Sequence, residues 1–211
     1  MSRRPSLTFA AMSMLLLLAL TVAPAIAHEV PASAGGAGVK ADMLMWIKDA
    51  EDKLIQLAEA TPEAGYAWRP NKDVRTTGQV FMHVVAANYG APSFWGVKPP
   101  EGFNFMTHEA SLTKKADIVK ALKDSFAHME AGLTATTDAD MDRPVELFGM
   151  KTTVRGGYML LLSHAHEHLG QSIAYARSNN IVPPWTAKQQ ADLKAMEDKK
   201  AAEKKVAVEK K

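Results

Sequence analysis

The strongest constraint on the fold is a helical period in the apolar residues, interrupted at fixed places by proline and glycine. Ile118, Leu122, Phe126, Met129 and Leu133 recur at three- and four-residue steps, which is the stripe of a helix packed on a core. Residues 41–60 show a similar pattern, with Trp46, Ala50, Leu54, Leu57 and Ala58 on one face, until Pro62, Gly65 and Pro70 break it. Thr76-Thr-Gly-Gln79 reads as a capping box that opens a second helix carrying Val80, His83, Val84 and Ala87, ending near Gly90 and Pro92. After a loop with Gly96, Pro99, Pro100 and Gly102, the third helix begins near Thr113. Residues 138–149, with Pro144 and Gly149, form another connection, and a fourth helix is expected over 154–178. Asn179-Asn180 suits its end, and Pro183-Pro184 forbids continuation. No stretch shows sustained strand alternation and no period repeats, so the expected class is all-α, a four-helix bundle over residues 40–185. The tail, residues 186–211, is rich in Ala, Lys and Glu with little apolar face, and is expected to be a frayed helix or irregular.

The first residues follow a different logic. Arg3 and Arg4 precede an apolar run densest at Leu15–Leu20, and Ala25-Ile26-Ala27 forms a small-x-small site before His28. That order predicts a cleaved signal, residues 1–27, with cleavage after Ala27 and a periplasmic or secreted product. Ser2-Arg3-Arg4 with Leu7 partly matches a twin-arginine signal, but the very apolar core favours ordinary secretion. Residues 28–39, rich in Gly and Ala, read as a flexible linker, and His28 within it as incidental. The remaining chain of about 184 residues fits one domain. It has no cysteine, which excludes disulfides, thiolate metal sites and a catalytic thiol. The formal charge of +2 includes Arg3 and Arg4, and the basic excess of the rest sits in the tail. Without a basic face interleaved with aromatics, nucleic acid is not an expected partner. After cleavage no stable membrane anchor is expected to remain.

The chemistry concentrates in histidine. His164 and His168 stand one helical turn apart on one face and can clasp one ion, whereas His166 is rotated by about 200° from His164 and reads as solvent-facing. A third ligand must come from another helix. His83 is the candidate, because an unpaired ring among Met82, Val84 and Val85 would be costly to bury. His108, in the long loop, could approach the site, and His128 lies off the apolar stripe and reads as solvated. An i,i+4 histidine pair also occurs without metal, so spacing alone leaves a structural role open. Three imidazoles leave positions on an ion for water or substrate. Glu167 and Gln171 are candidate catalytic helpers, through hydrogen bonds to the ligands or proton transfer, and Tyr175 and Gln79 lie on the same helix faces as the histidines. There is no phosphate-binding glycine loop, no GxSxG elbow and no HExxH.

Taken together, Ala67-Trp68-Arg69-Pro70, the Gly78–His83 stretch, Thr113-Lys114-Lys115-Ala116, and His164-x-x-x-His168-Leu-Gly-Gln171 running on to Pro183-Pro184 resemble the DinB-like superfamily of metal-binding four-helix bundles over roughly residues 40–185. The resemblance implies an up-down bundle with a long crossover, a divalent ion on His83, His164 and His168 (zinc first, nickel or iron as alternatives), and assembly as a homodimer. It also implies chemistry of the thiol-dependent transferase or isomerase kind. Low-molecular-weight thiols are cytosolic, so for an exported chain hydrolysis of a small-molecule substrate is the simpler expectation. A non-catalytic module that binds a metal or ligand in the periplasm is the alternative.

Overall fold

A computed structural model of the chain describes residues 38–209, with side chains through residue 204. The expected signal, its cleavage site and the linker up to residue 37 lie outside the described residues. Six helices and one small hairpin follow in order: α1 (Val39–Ala60), α2 (Thr77–Gly90), α3 (Lys115–Ala135), the short α4 (Asp138–Met141), strands β1 (Pro144–Leu147) and β2 (Met150–Thr153), α5 (Val154–Ser178) and α6 (Pro184–Glu209). Helix α1 packs against α3 and α5, and α2 packs against the same two. Consecutive helices α1 and α2 therefore occupy one diagonal of the bundle, and α3 and α5 the other.

The caps are local consequences of sequence. Thr76 accepts from the Gln79 backbone N–H at 3.2 Å, and the Gln79 side chain accepts from the Thr76 N–H at 2.9 Å, so the expected capping box opens α2. Thr153 caps α5 through the Gly156 N–H at 3.1 Å. Helix α5 closes with Asn180 in the left-handed region, φ 58°, which a short polar side chain tolerates.

All five residues of the α3 stripe are fully enclosed. Burying each such side chain contributes about 1.5–3 kcal/mol. On α1, Ala50, Leu54, Leu57 and Ala58 of the expected face are enclosed together with Ile47, but Trp46 remains 43% exposed, lying edge-on to His166 where α1 meets α5. Helix α2 has no single stripe, because it is covered almost all round; Phe81, Met82, Val84 and Val85 are all buried.

One expectation is corrected. The connection after α3 contains a β-hairpin, with Leu147 paired to Met150 across a turn of Phe148 and Gly149. Both turn residues have positive φ, 51° and 79°. A turn of that kind normally calls for Asn-Gly, and Phe at its first position hides the signal. Of the two alternatives for the tail, the structure has the helix. Pro184 starts α6, a position where its missing N–H costs nothing, and pairs such as Lys188–Asp192 (3.0 Å) and Lys194–Asp198 (3.0 Å) support an otherwise polar helix. Among the described residues no helix is long and apolar enough to cross a membrane.

Candidate metal centre

Helix α2 carries His83, and α5 carries His164 and His168 one turn apart; α2 packs directly on α5. The three rings meet with centroids 4.9 Å (His83–His164), 4.7 Å (His83–His168) and 4.4 Å (His164–His168) apart. One nitrogen from each lies within 4.8 Å of the others, an arrangement that could hold one metal ion.

The far side of each ring decides which nitrogen faces inward. His168 Nδ1–H donates to Gln171 Oε1 at 2.8 Å, leaving Nε2 toward the other rings. His83 Nδ1–H donates to a carboxylate oxygen of Glu109, and His83 Nε2 stands 3.1 Å from His164 Nε2. Those two nitrogens can share a hydrogen bond only by sharing one proton, and a divalent cation would take the place of that proton. His164 Nδ1 is enclosed without a partner. The donor set therefore fits an ion bound by three Nε2 atoms, two of them fixed from behind.

Burial pushes His164 down to about 3, and the neighbouring His168, His83 and Arg75 charges push the same way. Burial likewise lowers His168, against the opposing hydrogen bond to Gln171. These two imidazoles stay neutral near neutral pH, which is the state that ligates a metal. Burial alone would raise the Glu109 carboxyl, but the hydrogen bonds from Arg75 and His83 hold it below the ordinary carboxylate value.

Behind the rings runs a continuous hydrogen-bonded path. Arg75 Nε and Nη2 donate to the two oxygens of Glu109 at 2.8 and 3.1 Å. Gln171 Nε2 donates to Tyr175 Oη at 3.1 Å, and the Tyr175 hydroxyl donates to the Arg75 carbonyl at 3.2 Å. His83 is thus tied to His168 through Glu109, Arg75, Tyr175 and Gln171. The Trp68 ring closes the outer side of Tyr175, with centroids 5.2 Å apart.

Each expected residue can now be placed. Gln171 contacts His168, while Glu167 is solvent-exposed and reaches His168 only as a nearby negative charge. The Gln79 amide oxygen is taken by the Thr76 backbone. His108 does not approach the centre; it packs on Phe103 and Tyr89. His128 is half-buried against Tyr89 rather than solvated, and His166 is half-buried beside Trp46, its Nδ1 donating to the Leu162 carbonyl at 3.0 Å. Sequence reasoning missed Glu109 and Arg75. Glu109 stands next to the one loop histidine that was considered, and its side chain takes the role expected of that neighbour.

A family model described as the DinB superfamily matches residues 47–172. The fold is similar to that of a DinB-like protein from Bacillus cereus, with a TM-score of 0.58 and 17% identity, covering 66% of this chain and 94% of that one. It is also similar to a DinB-like protein from Bacillus subtilis, with a TM-score of 0.54 and 18% identity, covering 67% of this chain and 93% of that one. Among curated proteins none matches the sequence.

Proposed function

This chain belongs to the DinB superfamily, and on that footing we propose that it is an exported metal-dependent enzyme whose single divalent ion is held by His83, His164 and His168. The observation that carries the reading is the convergence of three histidine nitrogens from two helices, with two of the rings braced from behind by Glu109 and Gln171. Zinc suits three neutral imidazoles best, and nickel or iron would be accepted by the same donors. Such an ion supplies Lewis acidity at the coordination positions the protein leaves open. The residues around it do the rest: Glu109 and Gln171 orient His83 and His168, and the Arg75 guanidinium sets a positive charge beside the centre.

The reaction class is hydrolysis or group transfer on a small molecule, with hydrolysis preferred for an exported protein. The leader before Ala27 supports export to the periplasm or beyond. The test is metal content of the purified protein beside a His168→Ala variant, followed by a panel of esters, amides and lactones. About one equivalent of metal, lost in the variant, together with turnover that follows the metal, supports the enzyme. A metal-loaded protein without turnover supports a second reading, a non-catalytic binding module. One observation favours that second reading: Glu109 is already engaged by Arg75 and His83, and Glu167 faces solvent, so neither stands as a free base at the centre.

A further inference from the structure

A second concave site lies beside α3, under the loop that joins α2 to α3, and shares no lining residue with the histidine centre. Its volume is about 390 Å³, which is room for a small organic molecule. Two aromatic rings form its inner wall, Tyr89 of α2 and Phe103 of the loop, with centroids 5.8 Å apart. His108 closes one end, 5.0 Å from Phe103 and 6.0 Å from Tyr89. The rim is acidic: Glu101 from the loop, Asp117 and Asp124 from α3. The lining's one lysine, Lys120, is already paired with Asp124 at 2.5 Å.

Tyr89 gives these groups a direction. The residue is only 8% exposed, it lines the groove, and its hydroxyl makes no hydrogen bond with the described residues. Burial, and then the Asp124 charge, push that hydroxyl up, so it stays protonated with its lone pairs open to a donor. Burial also lowers His108, so the histidine adds no positive charge to a lining whose lysine, Lys120, is paired with Asp124.

Three classes of occupant can be weighed. An anion meets uncompensated carboxylates at Glu101 and Asp117. A bare metal ion lacks ligands, since the groups of three metal-binding side chains among the described residues comprise the histidine centre alone. An organic cation satisfies every wall at once: its charge faces the carboxylates, its N–H groups meet the tyrosine hydroxyl, and its body lies on the ring faces.

We propose that this groove is a binding site for a small primary ammonium with a flat apolar body, held by Tyr89 and Phe103 and by the carboxylates of Asp117 and Glu101. The proposal is independent of the histidine centre, so the test is run on chelator-treated and on zinc-loaded protein. The probe is benzylammonium, titrated calorimetrically, with benzoate and benzyl alcohol as comparators. The expected result is saturable benzylammonium binding with a Kd on the order of 0.1–1 mM in both preparations. Asp117→Asn should weaken it by about 5- to 10-fold, and Tyr89→Phe, which keeps the ring, by about 3-fold. Benzoate should not bind. Absence of saturation, equal binding of benzoate or benzyl alcohol, indifference to both substitutions, or binding only when zinc is present would each overturn the proposal. Should Tyr89→Phe fail to fold, Asp117→Asn, at an exposed position in the first turn of α3, carries the test.

Discussion

The Tyr175 hydroxyl donates to the Arg75 backbone carbonyl at 3.2 Å, joining residues 100 positions apart. This bond ties the last turns of α5 to the segment that leads into α2. It completes the path from His168 to His83 through groups that never enter the centre themselves.

Cutting that path should loosen the metal. Gln171→Ala leaves His168 Nδ1 without its acceptor and should reduce metal affinity by roughly 10- to 100-fold. Tyr175→Phe removes the hydroxyl that accepts from Gln171 and donates to the Arg75 carbonyl, but leaves the Gln171–His168 bond, and should cost about 3- to 10-fold. Competition with a chromophoric chelator measures both. An unchanged affinity with a lowered melting temperature would mark the path as structural only.

Glu109→Gln is the sharper test of the loop's part. The amide still accepts from His83 but no longer carries the charge that meets Arg75 and strengthens the His83 ligand. Affinity should fall about 10-fold, while thermal stability without metal changes little. Equal loss from Glu167→Gln would contradict the assignment, because Glu167 touches neither ring.

A different carboxyl sets a pH dependence away from the centre. Burial, and then the nearby Glu51 carboxylate, push Glu130 up to about 7. Glu51 itself is 7% exposed and bound by Lys48 at 2.5 Å. Between the ordinary glutamate value and about 7 the folded chain holds a proton that the unfolded chain has released. Stability therefore falls as pH rises across that window and levels off above it. Glu130→Gln should flatten the slope and raise stability at pH 8 by about 1 kcal/mol, after allowance for the solvent that screens a half-buried carboxyl. Urea denaturation at pH 5 and pH 8 decides it.

Gly157 marks where the bundle admits no extra atom. A Cβ there would stand 2.5 Å from the enclosed Trp95 ring. Gly157→Ala should destabilise the protein by about 1–3 kcal/mol, read as a lowered denaturation midpoint with an unchanged slope. A silent substitution would mean that Trp95 does not pack as described.

The histidine pair on α5 was legible from local spacing, because four residues on a helix return to one face whatever surrounds them. His83 followed from the cost of enclosing a ring among Met82, Val84 and Val85. The limits of α5, the capping box at Thr76 and the α3 stripe were legible for the same reason: each depends on residues within a turn or two. The hairpin was not, because Phe148-Gly149 enters a positive-φ turn against local preference, 51° at Phe148. Trp46 was placed on the buried face but lies at its edge and Ile47 is enclosed instead, because adjacent residues differ by about 100° around a helix and only the positions of α3 and α5 select between them. Glu109 lies 26 residues from His83 and Arg75 lies 34 from Glu109, distances over which no period operates. The sequence by itself determined the four long helices of the bundle and which of their faces carry imidazole. The tertiary structure alone decided what stands behind His83, since hydrogen bonds between loop and helix exist only once packing has brought those groups within about 3 Å.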